Sequence, residues 1–306
     1  MLLKFLVCLI LFIAFEGHAS ALDPARYLSQ YAHDSWGSEQ GLPQNCAHAL
    51  AQTSDGYIWF GTEEGLVRFD GVRMTVFDRS NTDAIKNNSV QALAAGDDGS
   101  LWIGTNNELI KFQSGRFVNI TARAGINTRF SSIHVSADNR VWAGTLDGIF
   151  LFSDGNITRF LQNESVVSIV GDKDGDLWVV LRDRRVYKLK QDHFEQVGIK
   201  QGFPSDQVLN IFAAKEGGIW LALAGHSLFR WNHGQGLTVT RKNGLPGDVS
   251  SMIEDRDHNL WVTTEAGVTR CHDGSCITFA GDEALSSYTV TGMLEDAEGS
   301  LWFGTH

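Results

Sequence analysis

Helical periodicity is missing from the whole chain, which excludes a helical bundle or an alternating α/β architecture. Positive charge is sparse. Lysine and arginine number 25 against 36 aspartate and glutamate, the formal net charge is −11, and no Lys/Arg run occurs. A nucleic acid or an anionic membrane surface is thereby excluded as a partner. Beyond the first fifteen residues no apolar run approaches the twenty needed to span a bilayer. No nucleophile–base–acid triad can be assigned, because the ten histidines are scattered and none sits in a nucleophile motif.

What is present is a repeat. Gly56-Tyr57-Ile58-Trp59-Phe60-Gly61-Thr62 returns as Gly99-Ser100-Leu101-Trp102-Ile103-Gly104-Thr105, and again around Trp142, Trp178, Trp220, Trp261 and Trp302. The seven tryptophans stand 43, 40, 36, 42, 41 and 41 residues apart. A period near forty residues with four short strand signals per unit, separated by Asp, Gly and Asn turns, predicts four-stranded antiparallel blades. The expected fold is therefore an all-β propeller, seven-bladed with the last blade incomplete. The repeated tryptophans are expected to pack between blades, with the following glycine permitting close approach of the next sheet.

The N-terminus reads as an export signal over residues 1–21. Lys4 is followed by an apolar run from Phe5 to Phe15 and by the small residues Ala19-Ser20-Ala21. Residues 22–306 then form one propeller domain in an extracytoplasmic compartment. A strand over about 27–40 is expected to close the ring by completing the last blade. The seventh unit stops after its tryptophan strand, so the chain reads as the N-terminal fragment of a longer protein.

Cys271 and Cys276 flank a four-residue turn where other units place apolar pairs that face each other across a hairpin. In an oxidising compartment this predicts a cross-strand disulfide. A zinc site is not expected, for want of a companion Cys/His pair. Cys46 is left single and buried. Asp172-Lys173-Asp174-Gly175-Asp176 has half the look of a calcium loop but aligns with the ordinary hairpin turns of its sister units, so no metal and no cofactor is expected. His134 reads as a hydrogen-bonded core histidine.

Gly-Leu-Pro, then Asp-Gly-x-Ile/Leu-Trp-x-Gly-Thr, then Gly-Leu-x-Arg-Phe-Asp-Gly resembles the two-component regulator propeller repeat. The first unit carries it in full at Gly41-Leu42-Pro43, Asp55 to Thr62 and Gly65 to Gly71. It weakens where Trp178 and Trp220 lack the Gly-Thr. The resemblance implies the periplasmic sensor region of a bacterial membrane receptor, with a histidine kinase or diguanylate cyclase output outside this chain, a homodimeric receptor, and membrane attachment only through further segments. It implies a small-molecule or oligosaccharide ligand and no chemistry here. A secreted lyase-like or lactonase-like enzyme and a protein-interaction scaffold are the alternatives, since one fold hosts all three.

Propeller ligands sit over the central channel, where the loops joining second to third and fourth to first strands converge. On this sequence those loops offer Glu64, Asn107, Arg129, Arg182, Arg184, His226 and Glu265 as ligand-binding candidates. The Arg182-Asp183-Arg184-Arg185 turn is the densest positive spot, and would suit an anionic ligand.

Overall fold

A computed structural model describes residues 33–204, 207–232, 235–279 and 290–305. Six four-stranded antiparallel meanders follow one another, with a two-stranded sheet after them. Blade 1 comprises Ala49–Gln52, Ile58–Thr62, Gly65–Phe69 and Met74–Phe77. Blade 2 comprises Val90–Ala95, Leu101–Thr105, Leu109–Gln113 and Arg116–Asn119. Blade 3 runs from Phe130–Val135 to Asn156–Phe160, and blade 4 from Val166–Gly171 to His193–Val197. Blade 5 runs from Val208–Ala213 to Gln235–Thr240, and blade 6 from Ser251–Glu254 to Ser275–Thr278. Among the described residues the seventh unit has two strands, Val290–Glu295 and Leu301–Thr305.

The first strands lie side by side around the axis, and the seventh unit meets blade 1. Ala47 N–H donates to the Thr305 carbonyl at 3.2 Å, and Thr291 Oγ1 donates to the Ala47 carbonyl at 2.6 Å. The expected closing strand over 27–40 falls partly outside the described residues. Its described part is not a strand: residues 33–37 are irregular and Ser38–Gln40 is a turn of 3-10 helix. Trp36 nevertheless reaches the junction, stacking on Trp302 at 5.2 Å between ring centroids and packing at a tilt against Phe69 at 5.4 Å. The closure described here is thus side-chain packing plus backbone hydrogen bonds from Ala47. The proposed export signal, residues 1–21, lies outside the described residues, and among those described no helix is long and apolar enough to cross a membrane.

The repeat motif has a physical role at each letter. Six tryptophans are buried, three of them completely (Trp59, Trp178 and Trp261), whereas Trp302 is half-buried. The residue six positions earlier receives the indole N–H: Asp172 for Trp178 at 2.9 Å, Asp255 for Trp261 at 2.7 Å, Asp296 for Trp302 at 2.7 Å, and the Thr53 hydroxyl for Trp59 at 2.9 Å. The same aspartates close the hairpin turn through their other oxygen, as Asp172 Oδ1 does for the N–H groups of Asp174 and Asp176. One carboxylate therefore ties a turn to the core, and in the calcium-like stretch Asp172 is already occupied in this way.

The motif glycine marks a close approach. A Cβ on Gly144 would stand 2.5 Å from Val166 Cγ1, and one on Gly104 would stand 2.7 Å from Phe130 Cβ, each in the next blade. The motif threonine caps the hairpin between second and third strands. Thr62 Oγ1 donates to Gly65 O and accepts from Glu64 N–H, and Thr145 does the same for Gly148 and Asp147. Units 4 and 5 place Leu181 and Leu223 at that position. Their hairpins turn instead through Arg184 at φ 74° in unit 4 and through Gly225 at φ 89° with His226 at φ 61° in unit 5.

Gly-x-Pro also recurs for a reason. Three 3-10 turns, Ser38–Gln40, Ile199–Gln201 and Arg241–Asn243, each end on a left-handed glycine (Gly41, Gly202, Gly244), and the next residue, Leu42, Phe203 or Leu245, enters the core.

Cys271 and Cys276 are directly opposed and form a disulfide with a Cα–Cα distance of 4.0 Å, while Cys46 is free and buried. The hairpin already holds both cysteines, so reduction is expected to cost about 2 kcal/mol at most by loop-closure entropy. Thermal unfolding with and without reductant measures this, and a larger loss would show that blade 6 depends on the bridge.

Candidate functional site

In a four-stranded meander, second-to-third hairpins and fourth-to-first connections emerge on one face. All seven sequence candidates therefore lie on that face. Exposure and partners differ among them. The side chains of Glu64 and Glu265 are exposed and make no hydrogen bond or ion pair among the described residues. Asn107 accepts from the Asn87 amide at 2.9 Å. His226 is fixed by Asp248 Oδ1, which accepts from its backbone N–H at 2.7 Å, and its Nε2 lies 2.7 Å from Arg241 Nη2. Arg129, Arg182 and Arg184 contact Gln91, Ser165 and Gln207 respectively.

The structure adds residues that the sequence did not point to. In five units the first strand carries a bulge at its start, leaving one residue outside the ladder: Gln91, Ser131, Val167, Leu209 and Thr291. His48 and Ser250 hold the same place in blades 1 and 6, immediately before the first ladder pair. A bulge re-aims a side chain while its neighbours stay paired. Seven such residues stand at the starts of the seven first strands, which lie side by side around the axis, on the candidate face, the mouth of the ring. Five consecutive units, from blade 6 through the seventh to blade 3, present Ser250, Thr291, His48, Gln91 and Ser131. Blades 4 and 5 place Val167 and Leu209 there, each half-buried and packed against a core cluster between blades, so the series is polar in five consecutive units and apolar in two.

Side chains link the blades around this mouth. Ser131 Oγ donates to the Val166 carbonyl at 2.7 Å, as Thr291 does to Ala47. The second-to-third hairpin of one blade reaches the approach to the next blade's first strand. Glu63 accepts from Ser89 Oγ at 2.5 Å, Arg184 donates to Gln207, and Asp248 accepts from His226 N–H. Glu63 also pairs with His48 Nε2 at 3.1 Å and with the Gln91 amide at 3.3 Å. The Ser89 hydrogen bond is the largest effect on Glu63. With Gln91 and His48 it outweighs partial burial and holds the carboxyl below the usual range.

Cys46 Sγ lies 3.7 Å from His48 Nδ1 and 3.8 Å from Nε2, which completes a Cys–His–Glu sequence in space. Its chemistry is wrong for a nucleophile. The thiol is only 3% exposed, and burial, with the Glu63 charge second, pushes its pKa up rather than down. His134, expected to be hydrogen-bonded, is not: its ring lies over Gly171 without a polar partner among the described residues, and burial alone pushes its pKa down.

The opposite face carries an ion network across blades 5 to 7. Glu295 accepts from Lys215 Nζ at 2.7 Å and from Arg256 Nε at 2.9 Å, with its side chain 11% exposed. Burial pushes the Glu295 carboxyl up, but those two cations and the Arg256 backbone N–H outweigh it and hold the pKa below the usual range. A carboxyl lowered in the folded state stabilises fully above its unfolded pKa, near 4.3, and that contribution fades as pH falls through the folded value. Glu295→Gln is therefore expected to flatten the acid limb of the stability profile below about pH 5. Urea midpoints from pH 3 to 7 test it, and parallel profiles for the two proteins would assign the acid loss elsewhere.

Comparison with known proteins fits this architecture. The two-component regulator propeller model matches residues 41–64, 84–107, 243–266 and 284–306. The extracellular domain of a putative hybrid two component system from B. thetaiotaomicron superposes with a TM-score of 0.73 at 20% identity, covering 89% of this chain and 40% of that one. A second such domain from the same organism gives 0.70 at 20% identity over 87% and 38%. Virginiamycin B lyase from Staphylococcus aureus gives 0.70 at 15% identity over 86% and 93%. The chain thus spans about two fifths of the two extracellular domains it resembles. No curated protein matches it in sequence.

Proposed function

The chain carries the two-component regulator propeller repeat, and on that premise we propose that it is the ligand-sensing propeller of a bacterial signalling receptor, working outside the cytoplasm. It binds a small molecule or a short carbohydrate at the bulged mouth and performs no reaction on it. The signal passes to a histidine kinase or diguanylate cyclase output and through pairing of two receptors, by differential binding to two packings of the assembly.

The half-polar, half-apolar ring carries this reading. A sugar has a hydroxylated edge and a C–H face, and the polar arc from Ser250 to Ser131 with the Val167–Leu209 arc supplies a surface for each. The links between blades give a bound ligand something to pull on, since a shift at Gln91 or Gln207 is felt in the preceding hairpin.

Thermal shift against a panel of monosaccharides, oligosaccharides and organic acids tests it. A ligand at one hundred times its Kd stabilises by about 2.7 kcal/mol, an upward shift of the melting point of a few degrees in a domain this large. Leu209→Trp, which puts a larger side chain at this end of blade 5, is expected to abolish the shift; because Leu209 packs against the core between blades 5 and 6, the unliganded melting point is measured alongside as the control for folding. Hits that survive Leu209→Trp would move the site elsewhere.

One observation favours a second reading. A propeller enzyme needs a His/Glu pair converging on the channel, and His48 with Glu63 is such a pair, the carboxylate held ionised as a base would be. A hit that is converted to product, with turnover lost in His48→Gln, would establish the enzyme; a hit recovered unchanged keeps the sensor.

A further inference from the structure

We infer that the outer gap between blades 4 and 5 is a binding site for an aromatic amino acid, whose ring takes the place that a phenylalanine side chain fills in sister blades. The site is separate from the mouth and does not rest on the reading given for it.

The sister blades show what differs here. One fourth-strand residue in each blade lies opposite the start of the third strand, and in blades 1, 3 and 6 it is Phe77, Phe160 and Phe279. Each packs on the tryptophan of its own blade, at 6.0, 5.5 and 5.9 Å between ring centroids. In blade 4 that place belongs to Val197, opposite Val186. Blades 2 and 5 also carry an aliphatic residue there, Ile120 and Val239. The blade 4–5 gap is set apart by the residue that faces it, Trp231 on the third strand of blade 5. Trp231 is half-buried and paired with Gly236, whereas its counterparts Phe112 and Phe152 are paired with Phe117 and Ile157.

A cavity of about 380 Å³ lies in this gap, with Trp178, Trp231 and Val197 among its apolar walls. That volume is within the range of small-molecule sites, about 300–1,000 Å³. Phe203, from the connecting turn, stacks on Trp178 at 6.4 Å but is not one of the walls. Trp178 and Trp231 meet edge to face at 5.1 Å. A guest ring against Val197 would complete a cluster like the one between blades 1 and 2, where Trp59, Phe77, Phe112 and Phe117 pack in pairs at 4.6 to 6.0 Å.

A cation marks the same place. Arg68 lies over both Trp59 and Phe77, at 5.9 and 5.7 Å, and Arg270 over both Trp261 and Phe279, at 5.6 and 5.7 Å. Lys188 holds that position in blade 4, 4.8 Å over Trp178, and has no second ring among the described residues. A guest ring supplies the second π face.

The polar walls set the charge of the guest. They carry two ion pairs, Lys188 with Asp176 and Lys190 with Glu195, the latter at 3.2 Å. Both signs are present and the sum is zero, which suits neither a lone anion nor a lone cation. A zwitterion meets such a rim on both sides, its ammonium on a carboxylate and its carboxylate on a lysine.

The test is calorimetric titration of the whole protein with phenylalanine, phenethylamine, phenylacetate and glycine, repeated on Val197→Phe. Saturable binding of phenylalanine is expected, with roughly tenfold weaker binding of the two singly charged aryl probes and none of glycine. Val197→Phe restores the side chain that the sister blades carry. It should melt no lower than the parent and weaken phenylalanine binding roughly tenfold or more. Should it melt lower, Lys188→Gln takes its place, with the same loss expected. Phenylalanine binding kept in full by the variant used would overturn the site. Binding lost in Leu209→Trp but kept in Val197→Phe would move the guest to the mouth and overturn it equally. Phenethylamine or phenylacetate binding as tightly as phenylalanine would overturn the zwitterion, and no saturable binding of any probe up to tens of millimolar would overturn the whole inference.

Discussion

Trp261→Ala is expected to destabilise the protein by about 4 kcal/mol or more, the upper end for a buried large aromatic. The side chain is completely buried, packs against Phe279 and Phe303, and lies under the Arg270 guanidinium at 5.6 Å. Its removal also strips one donor from Asp255, a carboxylate 2% exposed. That group accepts from four donors: the N–H groups of Asp257 and Asn259 on one oxygen, and Asn259 Nδ2 with Trp261 Nε1 on the other. Trp261→Phe separates the two losses, because it keeps most of the packing and removes only the N–H; about 1–2 kcal/mol is expected for it. Trp302→Ala should cost less than Trp261→Ala, since Trp302 is half-buried at the closing junction. Urea unfolding of the three variants gives the order, and equal costs for Trp261→Ala and Trp302→Ala would show that burial is not what sets the price.

Gly144→Ala adds a single methyl group and is expected to cost about 1–3 kcal/mol by overpacking. The new Cβ would meet Val166 Cγ1 at 2.5 Å, Val166 Cβ at 3.1 Å and Ile169 Cδ1 at 3.3 Å. Val166 is β-branched, 2% exposed and sits on a strand, so it cannot rotate out of the way. Val166→Ala alone loses packing, but in combination with Gly144→Ala it provides room for the methyl. The double variant should therefore be at least about 1 kcal/mol more stable than the sum of the two single effects predicts. Strict additivity would mean that the sheets separate as rigid bodies and that the clash is not local.

The blades were legible because their signals are local and repeated. The tryptophan, the turn and the glycine recur within a dozen residues, and the first sequence strand and third-strand assignments follow from their alternation. The disulfide was legible for the same reason, as a substitution into a hairpin position known from sister units. The candidate face was legible too, since strand order alone puts all second-to-third hairpins on one side.

The mouth was not. A bulge shifts one residue out of the alternating pattern, and nothing in the local sequence around Gln91 or Leu209 distinguishes it from an ordinary strand start. His48 and Glu63 are fifteen positions apart and meet because the second-to-third hairpin of blade 1 lies at the end of the blade where its own first strand begins. The sequence also gave no sign that Ser38–Gln40 would be 3-10 helix rather than strand. What could have been read is the leucine at 181 and 223 in place of threonine, which removes the hydroxyl that caps the sister hairpins.

The bulged residues have one further property. Because five of the seven are skipped by the ladder and the other two precede its first pair, changing the side chain leaves the neighbouring ladder pairs in register. The places are nevertheless coupled in pairs, since His48 and Gln91 share Glu63, and Ser131 and Thr291 each bond to the carbonyl just before the next place in the ring. On the reading proposed above, a substitution at one place would change the displayed surface and the link to its neighbour together, while the packed frame beneath them stays in register.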